Sequence, residues 1–234
     1  MTQASPGRPR SGAVVATVLA RRRPEGRYGV LLVVLIASYV LSAFNRRPLV
    51  TDLQIAFFLA VLLLALHASR LPRGLTRVAI AVSLAGSAAA FGIALTGTQA
   101  SLGAADLWKG LMLLVTVVLI VRRILAKPTV TIQSIYGALS AYIIIGLMFA
   151  AFYSAIAHLG AAPFFADSQP ANTQTFQYFS FTTLTTLGYG DFTAAGNSGR
   201  AIAVMEALTG QIFLATLVAR LVAAFRVSEE PPGE

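Results

Sequence analysis

The chain has no cysteine among its 234 residues, which removes disulfides, thiolate metal sites and cysteine nucleophiles from consideration. Charge is scarce as well. Asp, Glu, Lys and Arg together make up 12% of the positions, about half of what a soluble domain carries. There are two histidines, His67 and His158. Each stands alone near the end of an apolar run, a pattern more typical of packing than of a metal or pH site. Neither is close in sequence to the hydroxyl-rich stretch Ser180–Thr186, so nucleophilic catalysis has no support and an enzyme is not expected.

What fills the chain instead is apolar. Hydrophobic residues occupy 56% of positions and the mean hydropathy is +0.74, values that point to a bilayer as solvent. The net charge is +9, but the basic residues fall between apolar runs rather than on one face, so they encode topology and not a nucleic-acid partner. The short run Gly12–Ala20 ends in Arg21-Arg22-Arg23, the wrong order for a cleaved leader. Residues 1–27 are therefore expected to form a basic cytoplasmic arm on anionic lipid.

A bilayer core about 30 Å thick needs about 20 mostly apolar helical residues per crossing. Tyr28–Phe44, Leu53–Ser69, Thr76–Leu95, Leu107–Leu125, Ile135–Leu159 and Gly199–Phe225 meet this or nearly do. The expected fold is an all-α membrane protein with six transmembrane helices. Between the fifth and sixth, Gly160–Asn197 is too polar to span, yet Asn172–Thr186 reads as a helix of half a bilayer with Asn172 as cap and Phe176, Phe179 and Phe181 as anchors. Such a re-entrant piece survives at membrane depth only when buried in protein or lining water. With both termini inside, only Arg46, Arg47, Lys109 and Arg200 of the 18 Lys and Arg fall outside, as the positive-inside rule requires; Arg220 and Arg226 then snorkel near the inner surface. The expected organisation is a four-span, sensor-like domain (28–125), a linker (126–134), a pore domain (135–226, its pore helix at 172–186 and its inner helix at 199–226) and a short cytoplasmic tail (227–234). A multi-pass inner (plasma) membrane protein is implied.

Thr186-Leu187-Gly188-Tyr189-Gly190-Asp191 follows the half-helix. A dehydrated cation needs close oxygen ligands, and stacked rings of backbone carbonyls supply them. Aiming successive carbonyls at one axis requires alternation between ordinary and left-handed backbone, which glycine adopts without steric penalty; hence Gly188 and Gly190. Thr186 adds a hydroxyl at the inner end, and Tyr189 can brace the strand from behind. The negative C-terminal end of the half-helix favours a cation. One such loop cannot surround an ion, so a homotetramer with one central pore is expected. Asp191 belongs at the outer mouth, where four acids would concentrate cations. Glu206, an ionisable group inside a span, is costly there. It lies one turn from Gly210 and within reach of Ser180, Thr182 or Thr183, either as a gating coupling between inner helix and filter or as a satisfied packing acid.

Thr185-Thr186-Leu187-Gly188-Tyr189-Gly190-Asp191 resembles the signature of the tetrameric potassium channel superfamily. Phe179–Phe225 is similar to the bacterial two-span pore-domain type, including Arg200, the run Glu206–Gln211 and Leu217–Leu221. The resemblance implies potassium ions held at Thr186, Leu187, Gly188 and Tyr189, filter support from Thr185, a gating hinge at Gly210, and no organic cofactor. The commoner form has valine where this chain has Leu187, which alters packing behind the filter more than its ligands. The first four spans match that superfamily only in number and topology. A weakly selective or voltage-dependent cation channel, or a non-conducting membrane scaffold, are the competing readings.

Voltage sensing needs several charges on one helix, since each contributes about 2.3 kcal/mol per 100 mV. The fourth span has Lys109 near one end, with Asp52 and Asp106 as candidate partners, and Arg122-Arg123 at the other, with no charge between. Conductance is therefore expected to vary weakly with voltage; a steep conductance–voltage curve carrying several gating charges would contradict this.

Overall fold

The computed structural model describes residues 28–44, 62, 73–126 and 130–227. The basic arm, the pair Arg46-Arg47, the terminal residues 228–234 and the second expected span, Leu62 excepted, lie outside these. Among the described residues six α-helices follow in order: α1 (Tyr28–Phe44), α2 (Arg73–Ala94), α3 (Gln99–Leu125), α4 (Ile132–Leu159), α5 (Thr173–Leu184) and α6 (Asn197–Val227). Four of them, over Thr76–Ala94, Gln99–Leu125, Ile132–Leu159 and Asn197–Ala223, are long and apolar enough to cross a membrane. Helix α1 is shorter at 17 residues.

Local chemistry sets the helix starts. Thr98 accepts from the Ser101 N–H, so α3 begins well before the apolar run that announces it. Thr131 and Ser134 form a reciprocal capping box at the start of α4, and Asn172 and Thr175 do the same for α5. Gly97, with φ of +67°, makes the left-handed turn between α2 and α3.

Helix α4 is the hub, packed against α1, α3, α5 and α6. Its face toward α3 meets a seam in which Gly103, Gly110, Leu113, Ile120 and Ile124, at three-, four- and seven-residue spacings, are buried. The two glycines let the backbones close. A Cβ at Gly103 would stand 2.6 Å from Leu159 Cγ, and one at Gly110 would overlap the Phe152 ring. Helix α2 joins by the same means, Gly86 lying under the Trp108 ring. With no hydrophobic driving force between helices in lipid, close approach through small residues is what holds such a bundle.

Gly110→Leu is expected to force α3 and α4 apart, at about 1–3 kcal/mol, and to lower the thermal unfolding midpoint. Gly92→Ala, at a position with nothing within 4 Å of a new Cβ, is the control and should leave the midpoint unchanged.

Candidate functional site

Helix α5 has 12 residues, with Phe176, Gln177, Phe179, Ser180 and Leu184 buried. Aromatic rings hold its start. Phe165 stacks on Phe176 at 5.3 Å, Phe164 meets Phe176 edge-on at 5.4 Å, and Tyr153 of α4 meets Phe179 at 5.0 Å. The segments entering and leaving α5 are tied by an antiparallel bridge, Phe165 with Ala194, with Ala166 N–H donating to Thr193 O and Ala195 N–H to Phe164 O, both at 2.9 Å. The loop after α5 is thus pinned at both ends.

That loop runs from Thr185, the C-cap of α5, to Asp191. Its backbone takes left-handed φ at every second residue: Thr186 (+57°), Gly188 (+51°) and Gly190 (+80°). The glycines adopt this freely, whereas threonine does so at a cost. Thr186 is held there by its N–H donating to Thr183 O at 2.9 Å and its hydroxyl donating to Thr185 O at 2.7 Å. The Leu187 and Gly188 N–H groups both turn back to Thr182 O, at 2.8 and 3.1 Å. Gln211 of α6 donates to Thr186 Oγ1 at 3.4 Å, and the Tyr142 hydroxyl to Leu184 O at 3.3 Å. At the other end, Tyr178 donates to Asp191 Oδ2 at 2.8 Å, and Gln169 donates to Asp191 O. That bond to Asp191 holds the Tyr178 phenol above its ordinary pKa.

Behind the loop, Glu206 is fully buried at 0% exposure, as are Tyr153 and Ser180. The Tyr153 hydroxyl donates to one carboxyl oxygen at 2.6 Å and the Ser180 hydroxyl contacts the other. Ser180 also lies 2.6 Å from Gly146 O. One serine proton cannot serve both acceptors. A proton on Glu206 completes the chain Glu206 to Ser180 to Gly146 with every polar group met. Helices α4, α5 and α6 are thereby joined at one point. One turn on, Gly210 presses against the Leu184 carbonyl, where a Cβ would overlap backbone. Gly210 lies within the uninterrupted helix α6, where its lack of a side chain admits the end of α5.

Of the residues singled out from the sequence, Thr185, Thr186, Leu187, Gly188, Tyr189, Gly190 and Asp191 share this loop, and Glu206 and Gly210 pack behind it. Leu187 and Tyr189 are 54% and 68% exposed on a single chain, so no described residue of the same chain encloses the Tyr189 ring. Tyr153, Tyr178 and Gln169 escaped the sequence reading. A buried acid in a span demands a donor, but Tyr142 and Tyr153 both lie on α4, and only packing selects Tyr153. His158 is not isolated: its Nδ1 lies 3.2 Å from Asp106, which also pairs with Lys109 at 2.7 Å.

Residues 141–227 match a family described as an ion channel. The matched stretch begins in α4 and contains α5, the whole Thr185–Asp191 loop and α6. No curated protein and no solved structure matches the chain.

Glutamine supplies a donor and an acceptor in the shape of a protonated glutamate, so Glu206→Gln should retain near-normal stability. Glu206→Leu leaves the Tyr153 hydroxyl buried without its acceptor, a penalty of about 1–3 kcal/mol, while Ser180 keeps its bond to Gly146 O. Thermal unfolding of the two purified variants checks this; equal loss in both would remove the proton-chain account.

Proposed function

We propose that the chain is one subunit of a potassium-selective channel and that four copies surround a single conduction path. The observation that carries this reading is the left-handed φ at Thr186, Gly188 and Gly190, in a loop that follows a half-length helix inside the stretch matching an ion channel family. Regular reversal of handedness turns successive carbonyls to one side, and such a strand has little to hold by itself. Four of them stack rings of oxygens around an axis, replacing the water of a dehydrated ion. Thr186, Leu187, Gly188 and Tyr189 supply the oxygens, and the negative C-terminal end of the α5 dipole favours a cation at the inner end. Asp191, oriented by Tyr178, lies at the mouth.

The exposed side chains support assembly in copies. Leu187 and Tyr189 point away from their own chain's core, and α6 exposes Val204, Met205, Leu208 and Ile212. Copies around the axis would cover the first pair, with copies and lipid sharing the second. Conduction is passive, and weakly voltage-dependent for want of charges along α3 between Lys109 and Arg122. The protein lies in the inner membrane with both termini cytoplasmic, the N-terminal arm on anionic lipid.

Reversal potentials of the purified protein in planar bilayers, with potassium on one side and sodium on the other, test the reading. Potassium is expected to carry the current; comparable sodium current would make this a weakly selective cation channel, and no current under any condition a scaffold. Gly188→Ala, which places a side chain at φ +51° at about 1–2 kcal/mol per copy, is expected to lose selectivity, whereas Gly92→Ala should not.

A further inference from the structure

Away from the filter loop, the ends of α2 and α4 and the starts of α3 and α5 enclose a cavity of about 420 Å3. Its walls are largely apolar, Phe176 among them, but one side carries Asp106 and Lys109 from α3 and Ser154 and His158 from α4. Asp106 lies where α3 meets α4, its side chain 14% exposed. Its Oδ1 takes the Lys109 ammonium at 2.7 Å. Its Oδ2 accepts from the Ser154 hydroxyl at 2.5 Å and stands 3.2 Å from His158 Nδ1. That last approach is not a hydrogen bond: Nδ1 is buried and makes none. The rest of the side chain is 29% exposed, so water reaches the ring.

We propose that His158 and Asp106 form a proton-binding site that links the N-terminal helices to the pore-side helix α5. The proposal builds on the channel reading of the filter loop. A neutral imidazole with its proton on Nε2 sets the Nδ1 lone pair against a carboxylate oxygen, which is repulsive. A second proton sets an imidazolium 3.2 Å from that carboxylate oxygen, an attraction in place of the repulsion, and the seam between α3 and α4 tightens at its end. Lys109 opposes the imidazolium but sits on the other oxygen of Asp106. Among the described residues, neither α2 nor α5 presents a titratable side chain to the cavity. Histidine is the side chain whose unperturbed titration falls between about pH 5 and 8.

The route to the filter is short. Asn172, Thr173 and Phe176 at the start of α5 line the same cavity, and Phe176 belongs to the aromatic cluster that seats α5. Protonation therefore favours the arrangement of α5 in which the filter loop holds its alternating backbone.

The full-length protein in vesicles, with potassium flux followed as pH is lowered from about 8 to about 5, tests the site. Flux is expected to rise at least about fivefold. The rise should vanish in His158→Gln and in Asp106→Asn, which keeps the Ser154 hydrogen bond but not the charge, and persist in His67→Gln, the chain having two histidines in all. A flat or falling flux in the unsubstituted protein, or a rise that survives in His158→Gln, overturns the proposal. Absence of flux at every pH counts against the channel reading instead. The site is then judged by nitrogen-15 spectra of histidine-labelled protein carrying His67→Gln, in which the pH response of the single remaining imidazole should change when Asp106→Asn is added. An unchanged response overturns the site independently of conduction.

Discussion

In the proposed channel α5 ends at membrane depth, where backbone carbonyls have no water to meet them, and the rest of the structure is consistent with that constraint. Helix α5 has 12 residues, too few to cross, so its end and the loop beyond must be enclosed by protein or put to use. Some of the open groups are met locally. The Phe181, Thr182 and Thr183 carbonyls take the N–H groups of Thr185 to Gly188, and Leu184 O takes the Tyr142 hydroxyl. The carbonyls of the loop itself are the ones the proposed channel would present to an ion.

Holding α5 in place takes both close approach and polar ties. Gly146 of α4 accepts the Phe181 ring and Gly210 of α6 accepts the Leu184 carbonyl, so the short helix lies between two longer ones with little room to slide. Packing by itself leaves α5 free to rotate among similar apolar contacts. The Glu206 chain removes that freedom, because its hydrogen bonds to Tyr153 and Ser180 are satisfied in one geometry. A polar group in an apolar layer is expensive when unmet, and for that reason it specifies an arrangement sharply.

The seam between α3 and α4 repeats this logic nearer the surface. Gly103 and Gly110 bring the backbones together, and Asp106 between them finds Ser154 across the seam. Small residues set the distance, and a buried polar group sets the register. The matched ion channel stretch begins within α4, so α3 meets it along this seam, while α1 meets it at Tyr39 against Phe181.

How much was legible in advance follows from how local each signal is. The bounds of α1 agree with its apolar run, and α2 and α6 begin within three residues of theirs, since the cost of placing polar residues in a bilayer is read residue by residue. Helix α3 starts earlier, at Gln99, because Thr98 can cap it there and Ser101 and Asp106 find partners in the fold. Similarly, α5 was legible from Asn172 and its phenylalanines.

The Thr186–Asp191 motif, with its glycines at alternate positions, by itself determined where the backbone would change hand, since that preference belongs to each residue's own sterics. Thr186 is the exception, its positive φ being imposed by hydrogen bonds to Thr183 and Thr185. Tertiary structure alone decided the partners: Tyr153 rather than Tyr142 for Glu206, the α5 terminus against Gly210, and Asp106 beside His158. Those choices depend on distances between helices, which the glycines of each seam set and no local pattern contains.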